Sequence, residues 1–498
     1  MMAAGTIACL FLWASWVWTI GSRFEGVAGG ADSSGYLNSA KLFAEGRWST
    51  ALRLPEELRS VARPNEFMPL GFTLGGREGE AVPTYPPGLP LQFALAGLVL
   101  GWEWGPLFVG VALAAAFPLL MVGAARELGV APPLAWAGAA VLMVSPVTLF
   151  GALQPLSDLP AAVWSLAALV AALRAGRSRG QTGGASVGWS VACGAAVAVA
   201  VAVRPTSALV IPALVVILGC WRRWLGAAWG GLPGALFLGF YQFTLYGHPL
   251  ASGYGNIFAA LGAEWVGVTL RFYAEWLPRV LPGLVLVLPL AGGFLLRDAK
   301  QRWRMVGLGM WVAALGGFYA TYPVTHEVWW CLRFVLPAFP AWVLAALLAW
   351  QAIAERWGGV RAPRWCSLGA AVLAVWAGVL AWLWLPQLHL SAIGPAERVY
   401  REAGRWVAGN LPSDAVVSSF ATSGALYYYS PVATLRFDDL RPDSGPDLLR
   451  RLHVAGRPVF ALVFEAERPQ AEERLRGARW EPVRTFGGLR LWRLEPDS

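Results

Sequence analysis

A few charged residues in this chain stand among apolar runs, where charge is costly unless it is used. Asp32 opens the run Asp32-Ser33-Ser34-Gly35-Tyr36, ahead of a pattern that places Tyr36, Leu37, Ala40, Phe43 and Ala44 on one helical face. A carboxylate there reads in two ways, as the N-cap of that helix or as a general base towards a hydroxyl group. The two roles can coexist. Asp158 lies in Ser157-Asp158-Leu159-Pro160, between two long apolar runs, where a carboxylate needs water or a partner. It is either a capping residue in a Pro-bounded turn or the second of two carboxylates at one cavity with Asp32. Arg204, in Val203-Arg204-Pro205-Thr206, and Arg333, in Leu332-Arg333-Phe334-Val335-Leu336-Pro337, carry the forked donor geometry that suits phosphate oxygens. Snorkelling to a membrane interface is the alternative for both. His248, His326 and Glu327 are further polar candidates in loops.

The elements that must position these residues are apolar. Of the 498 residues, 57 % are hydrophobic and only 14 % charged, and the mean hydropathy is +0.52. A soluble chain carries about a quarter charged residues. This chain is therefore read as a polytopic α-helical membrane protein. Apolar runs lie at 3–22, 105–125, 134–153, 159–173, 187–203, 206–220, 225–246, 279–296, 305–322, 334–350 and 367–386, several near the ~20 residues that cross a bilayer core. The first run lacks a basic leader and a convincing cleavage site, so it reads as a retained helix.

The net charge is +9, yet it does not point to nucleic acid. Most basic residues stand in short loops between apolar runs. One side collects Arg126, Arg174, Arg177, Arg179, Arg222, Arg223, Arg297, Lys300, Arg302, Arg304, Arg356, Arg361 and Arg364, which makes it the cytoplasmic side. The run 86–101 is too short to span at 1.5 Å per residue. It reads as a juxtamembrane or re-entrant helix anchored by Trp102 and Trp104. The expectation is about eleven spans, an inside N-terminus, an outside C-terminus and a long first exterior loop, 24–104. That places Asp32, Asp158, Arg204 and Arg333 on the outer side. The five cysteines are scattered without CxxC spacing and read as small core residues.

After Pro386 the composition changes. Residues 387–498 hold 15 Arg against 14 Asp and Glu, which marks a nearly neutral soluble α/β domain following a transmembrane domain over 1–386. Its expected elements are a helix at 395–410, strands at 415–419, 426–429, 434–437, 459–464 and 489–494, and a helix at 447–454.

With these stretches assembled, the chain resembles the GT-C superfamily of glycosyltransferases that use polyprenyl-phosphate sugars. It looks most like the bacterial branch grouped with protein mannosyltransferases and the lipid A aminoarabinose transferase. The likeness is carried by Asp32-Ser33-Ser34-Gly35-Tyr36, Tyr85-Pro86-Pro87-Gly88-Leu89-Pro90, Ser145-Pro146, Ser157-Asp158-Leu159-Pro160, Val203-Arg204-Pro205-Thr206, Tyr246-Gly247-His248-Pro249-Leu250, Ser252-Gly253-Tyr254-Gly255 and Arg333-Phe334-Val335-Leu336-Pro337. No single motif is specific, whereas their order across about residues 1–350 is.

The resemblance implies an all-α polytopic fold with exterior juxtamembrane helices and inverting sugar transfer at the outer face of the plasma membrane. It implies that Asp32 is the catalytic acidic residue, with Asp158 as a second candidate. Substrate contacts would fall to Tyr36, Tyr85, Arg204, His248, Tyr254, His326, Glu327 and Arg333. The partners would be a polyprenyl-phosphate-linked sugar, membrane lipid and an acceptor that the sequence does not identify, with no nucleic acid. Some members need a divalent metal. Ser33 stands where some of them carry a second carboxylate, so metal dependence is open here. A transporter or lipid flippase and a non-catalytic membrane scaffold are the competing readings.

Overall fold

The computed structural model describes residues 2–77, 79–177, 184–441 and 443–496. The chain divides into two compact units, each built from three segments. The first comprises Met1–Phe24, Phe108–Leu238 and Asn256–Ser391; the second comprises Glu25–Leu107, Gly239–Gly255 and Ala392–Ser498.

The first unit is a bundle of apolar helices around Asp158–Arg177, 83 % of whose most apolar window is buried inside the protein. Small residues permit close approach between neighbouring helices. A side chain at Gly194 would meet the Ala227 carbonyl oxygen at 1.8 Å, and one at Gly230 would meet that of Val191 at 2.0 Å. Helices Gly184–Val203 and Trp221–Tyr246 therefore pack backbone to backbone. The first helix, Met2–Arg23, is tied in by the Trp16 indole N–H, which donates to the Ala114 carbonyl at 2.7 Å.

Among the described residues, Gly88–Glu127, Asp158–Arg177, Ala185–Val203 and Trp329–Gln387 are long and apolar enough to cross a membrane. Two bent pairs raise the number to six. Pro132–Val144 and Pro146–Ala152 meet at 65°, and Glu264–Val280 and Gly283–Gly292 at 113°. The apolar runs are more numerous: 3–22, 225–246 and 305–322 form the continuous helices Met2–Arg23, Trp221–Tyr246 and Ala299–Ala320, and 334–350 and 367–386 both fall within Trp329–Gln387. Helix Gly88–Glu127 is itself broken at Gly101, whose φ of 80° and ψ of 166° lie outside any helix. The break falls where the sequence separates 86–101 from 105–125. The short run at 206–220 is a 3₁₀ turn, Pro205–Val210, followed by helix Ile211–Leu218.

The second unit holds two sheets. The segment 24–104 carries β1 (Thr50–Ala51), β2 (Phe72–Leu74) and β3 (Glu80–Pro83), antiparallel in the order β1-β3-β2. The C-terminal domain contains β4 (Val416–Ser418), β5 (Ala433–Leu435), β6 (Val459–Phe464), β7 (Ala478–Phe486) and β8 (Leu489–Pro496), in the order β5-β4-β6-β8-β7. Strands β5, β4 and β6 are parallel, and β8 and β7 add antiparallel. Period-two alternation loads both faces. Val416, Ala461, Val463 and Leu494 pack with Leu448, Leu449 and Leu452 of helix Ser444–Val454. Val417, Leu462 and Leu491 pack with Ala403 and Val407 of helix Ile393–Asn410.

The segment carrying β1 to β3 is folded onto this domain. Leu58 and Phe67 enter the same core cluster as Val416 and Leu435. Arg457 clamps Glu57 with donors at 3.0 and 3.2 Å, and the Arg436 backbone N–H donates to the Glu66 carbonyl at 2.6 Å. Residues 426–429, expected as strand, belong to a helix, Ser423–Tyr429. The stretch 264–278, which lies between apolar runs, belongs to an amphipathic helix, Glu264–Val280.

Candidate functional site

The charged cluster of the first unit is built by three breaks in helical structure. Asp158 is the first residue of helix Asp158–Arg177, where the exposed N–H groups and the macrodipole favour a carboxylate. Arg204 is extended, with φ of −150°, just before the Pro205–Val210 turn. Arg333 lies in the 3₁₀ run Trp329–Ala338. Asp158 is 1 % exposed and forms an ion pair with each arginine, Arg204 close and Arg333 at 3.6 Å.

Aromatic rings hold this cluster in place. The Arg204 Nε donates to the Tyr319 hydroxyl at 3.1 Å, and Thr206 Oγ1 bonds the same hydroxyl at 2.9 Å. Tyr319 stacks on Phe334 with centroids 5.5 Å apart, and both guanidinium groups lie 5.3 Å from the Phe334 ring. One buried carboxylate facing two guanidinium groups leaves a net positive charge, which suits an anion. Tyr319 and Phe334 were not singled out from sequence. The only signal for Tyr319 was its place at the end of an apolar run.

His326 is near the same end of this unit. Its Nδ1 is 3.1 Å from Thr269 Oγ1, and its ring stacks on Trp265. Glu327 is exposed.

In the second unit, Asp32 is the first residue of helix Asp32–Ala44, and Ala31 holds the N-cap position. The expected N-cap role of Asp32 is thereby corrected. Its carboxylate instead accepts a hydrogen bond from the Tyr85 hydroxyl. Burial and the neighbouring Asp32 charge push the Tyr85 phenol well above its usual range, so it remains a donor at neutral pH.

Tyr36 and Tyr254 flank Tyr85, with ring centroids at 4.9 and 5.8 Å. The approach is glycine-dependent. A side chain at Gly35 would meet the Tyr85 ring at 2.4 Å, and one at Gly253 would meet the Thr84 carbonyl oxygen at 2.4 Å. The Tyr246 hydroxyl donates to the Pro83 carbonyl at 2.5 Å and fixes the same loop. His248 is exposed; its Nδ1 accepts from the Leu250 backbone N–H at 3.2 Å and its carbonyl from the Ala251 backbone N–H at 3.0 Å.

The fold can be compared with solved structures. ArnT from Cupriavidus metallidurans in the apo state matches with a TM-score of 0.58 at 16 % identity, over 99 % of this chain and 98 % of ArnT. The chain has a GT-C fold. ArnT bound to undecaprenyl phosphate matches with a TM-score of 0.55 at 14 % identity, over 99 % and 97 % of the two chains. The oligosaccharyltransferase of Archaeoglobus fulgidus matches with a TM-score of 0.55 at 12 % identity, over 98 % of this chain and 74 % of that one. No family model matches the sequence. A UPF0060 membrane protein of Cellvibrio japonicus is 35 % identical over 88 residues, which is 15 % of this chain and 81 % of that protein.

Metal ligation fits the described residues poorly. Among the described residues, no three His, Cys, Asp or Glu side chains come together. Asp158 faces two arginines that would repel a cation, and Ser33 follows Asp32 in place of a second carboxylate.

Proposed function

We propose that this protein is an inverting glycosyltransferase that moves a sugar from a polyprenyl-phosphate donor to an acceptor at the outer face of the plasma membrane. The observation that carries the reading is the near full-length likeness to ArnT, whose structure was solved with undecaprenyl phosphate bound. Asp32 removes the proton from an acceptor hydroxyl as that oxygen attacks the anomeric carbon. The bond from that carbon to the phosphate oxygen breaks, and polyprenyl phosphate leaves with the electron pair. Within the first unit, Arg204 and Arg333 present a net positive charge that suits a phosphate, and electrostatic stabilisation of this kind is worth ~3 kcal/mol per well-placed donor.

Phosphate is a good leaving group, so no enzyme acid is required and one carboxylate suffices. Asp158 is a positioning residue in this scheme. Its charge is committed to the arginines, and it sets their orientation. Tyr36, Tyr85 and Tyr254 provide aromatic and hydroxyl surface beside the base, and His248, His326 and Glu327 are further substrate contacts in this reading.

The test uses purified protein in liposomes with radiolabelled polyprenyl-phosphate sugars and extracted envelope acceptors. Asp32→Asn keeps an acceptor oxygen for the Tyr85 hydroxyl and should fold, yet lose 10²-fold or more of the transfer rate. Near wild-type transfer by folded Asp32→Asn overturns the assignment of the base. Lipid movement across the bilayer without any sugar transfer overturns the enzymatic reading.

A further inference from the structure

Away from the Asp158 cluster, the first unit has two adjoining hollows of opposite character. One, of about 600 Å³, is lined by Arg223, Lys300 and Arg304 together with Trp224 and Trp303. The other, of about 480 Å³, is a cleft lined by Gly194, Ala198, Ile211, Leu214, Ala228 and Leu232 among other apolar residues. Val215, Leu218 and Trp224 line both. A basic mouth therefore continues into an oily slot. Neither hollow is lined by Asp158, Arg204 or Arg333.

The basic side chains are held by the fold. Arg223 donates to the Leu218 carbonyl at 2.8 Å and, through Nε, to Ser186 Oγ at 3.3 Å, which fixes its guanidinium at the mouth. The nearby acids, Glu127 and Asp298, also act electrostatically on Arg304, but the basic side chains around them are more numerous. Glu127 pairs with Arg174 and Arg177 at 3.4 and 3.5 Å, and Asp298 accepts from the Gln301 backbone N–H at 3.1 Å. Trp303, 62 % exposed, and Trp224, 42 % exposed, present the amphipathic rings found at membrane interfaces.

Basic pockets between membrane helices suit phosphate headgroups, and the continuous slot suits a chain attached to one. We propose that these two hollows form the seat of one anionic phospholipid. Its headgroup phosphate lies among Arg223, Lys300 and Arg304, and an acyl chain fills the cleft between helices 184–203 and 221–246. The seat is independent of the proposed sugar transfer and does not rest on it.

Native mass spectrometry of the full chain in mild detergent tests this by titration with phosphatidylglycerol, phosphatidylcholine, inorganic phosphate or undecaprenyl phosphate. The expected result is one retained phosphatidylglycerol, at least tenfold weaker retention of phosphatidylcholine, and no retention of inorganic phosphate. The double variant Lys300→Gln with Arg304→Gln should weaken phosphatidylglycerol retention at least tenfold. Ala228→Phe fills the slot from an exposed helix face and leaves every charge in place, so it should weaken retention equally while the protein stays folded. Equal retention of the two phospholipids, or wild-type retention by Ala228→Phe, overturns the proposal. Displacement of phosphatidylglycerol by equimolar undecaprenyl phosphate overturns it in favour of a prenyl-phosphate seat.

Discussion

The Tyr85 hydroxyl donates to the Asp32 carboxylate, joining the loop after β3 to the first turn of helix Asp32–Ala44. A base that must meet an acceptor hydroxyl needs a fixed orientation more than it needs strength. Tyr85 supplies that orientation, and its own position is set by Gly35, Tyr36 and Tyr254.

Tyr85→Phe keeps the ring contacts and removes only the hydrogen bond. A hydrogen bond to a charged group is worth about 1.5–3 kcal/mol, so transfer should fall roughly 10- to 100-fold and the melting temperature should fall with it by a few degrees at most. Steady-state rates and a thermal melt of the same preparation check it. An unchanged turnover number would remove Tyr85 from the reaction.

Gly35→Ala tests the same arrangement from the helix side. Alanine favours a helix over glycine by ~1 kcal/mol, so propensity alone predicts stabilisation. The new Cβ would lie 2.4 Å from the Tyr85 ring and 2.9 Å from the Gly71 Cα. Overpacking of this kind costs ~1–3 kcal/mol, and the ring that must move is the one bonded to Asp32. A lower melting temperature together with reduced transfer is expected. A more stable, fully active variant would mean that Tyr85 moves freely.

The membrane class, the start of the helix at Asp32 and the central β6 were legible because each rests on a local pattern. Apolar length marks the spans, and continuous burial marks Val459–Phe464. The segment carrying β1 to β3 was not legible. Its strands are two to four residues long, too short for alternation to register, and Leu58 and Phe67 find their core in a domain far along the chain. Residues Tyr427, Tyr428 and Tyr429 look like strand by propensity. Tertiary packing makes them helix instead, with the Asn38 side chain donating to the Gly424 carbonyl at 2.9 Å. Arg204 and Arg333 stood out as exceptions to the charge pattern of the loops, whereas the pairing of both with Asp158 needed coordinates.

That pairing orders the consequences of removing each arginine. Asp158 is closely paired with Arg204 and more distantly with Arg333. Stripping the nearer partner from a buried charge costs ~3–5 kcal/mol. Arg204→Ala should therefore lower the melting temperature more than Arg333→Ala. Arg333→Lys should melt near wild type and still lose transfer, because an ammonium group cannot supply the planar fork. Thermal melts in detergent beside transfer assays read both. Arg333→Ala melting below Arg204→Ala would contradict the geometry.

A carboxyl pair in the second unit makes its stability depend on pH. Burial, reinforced by the charge of Glu25, pushes the Glu397 carboxyl up to about 7. It lies on helix Ile393–Asn410, and Arg398 and Arg401 face Glu25 rather than relieving Glu397. The folded state holds the Glu397 proton where the unfolded chain, with a carboxyl near 4.3, has released it. Stability is therefore fully present below about pH 4 and is lost as the pH rises through about 7. Glu397→Gln stays neutral throughout, so it should remove this slope and raise the melting temperature at pH 8 relative to wild type. Melts from pH 5 to pH 8 in detergent check the sign. A wild-type protein that gains stability over that interval by the amount the variant does would show that Glu397 titrates alike in both states.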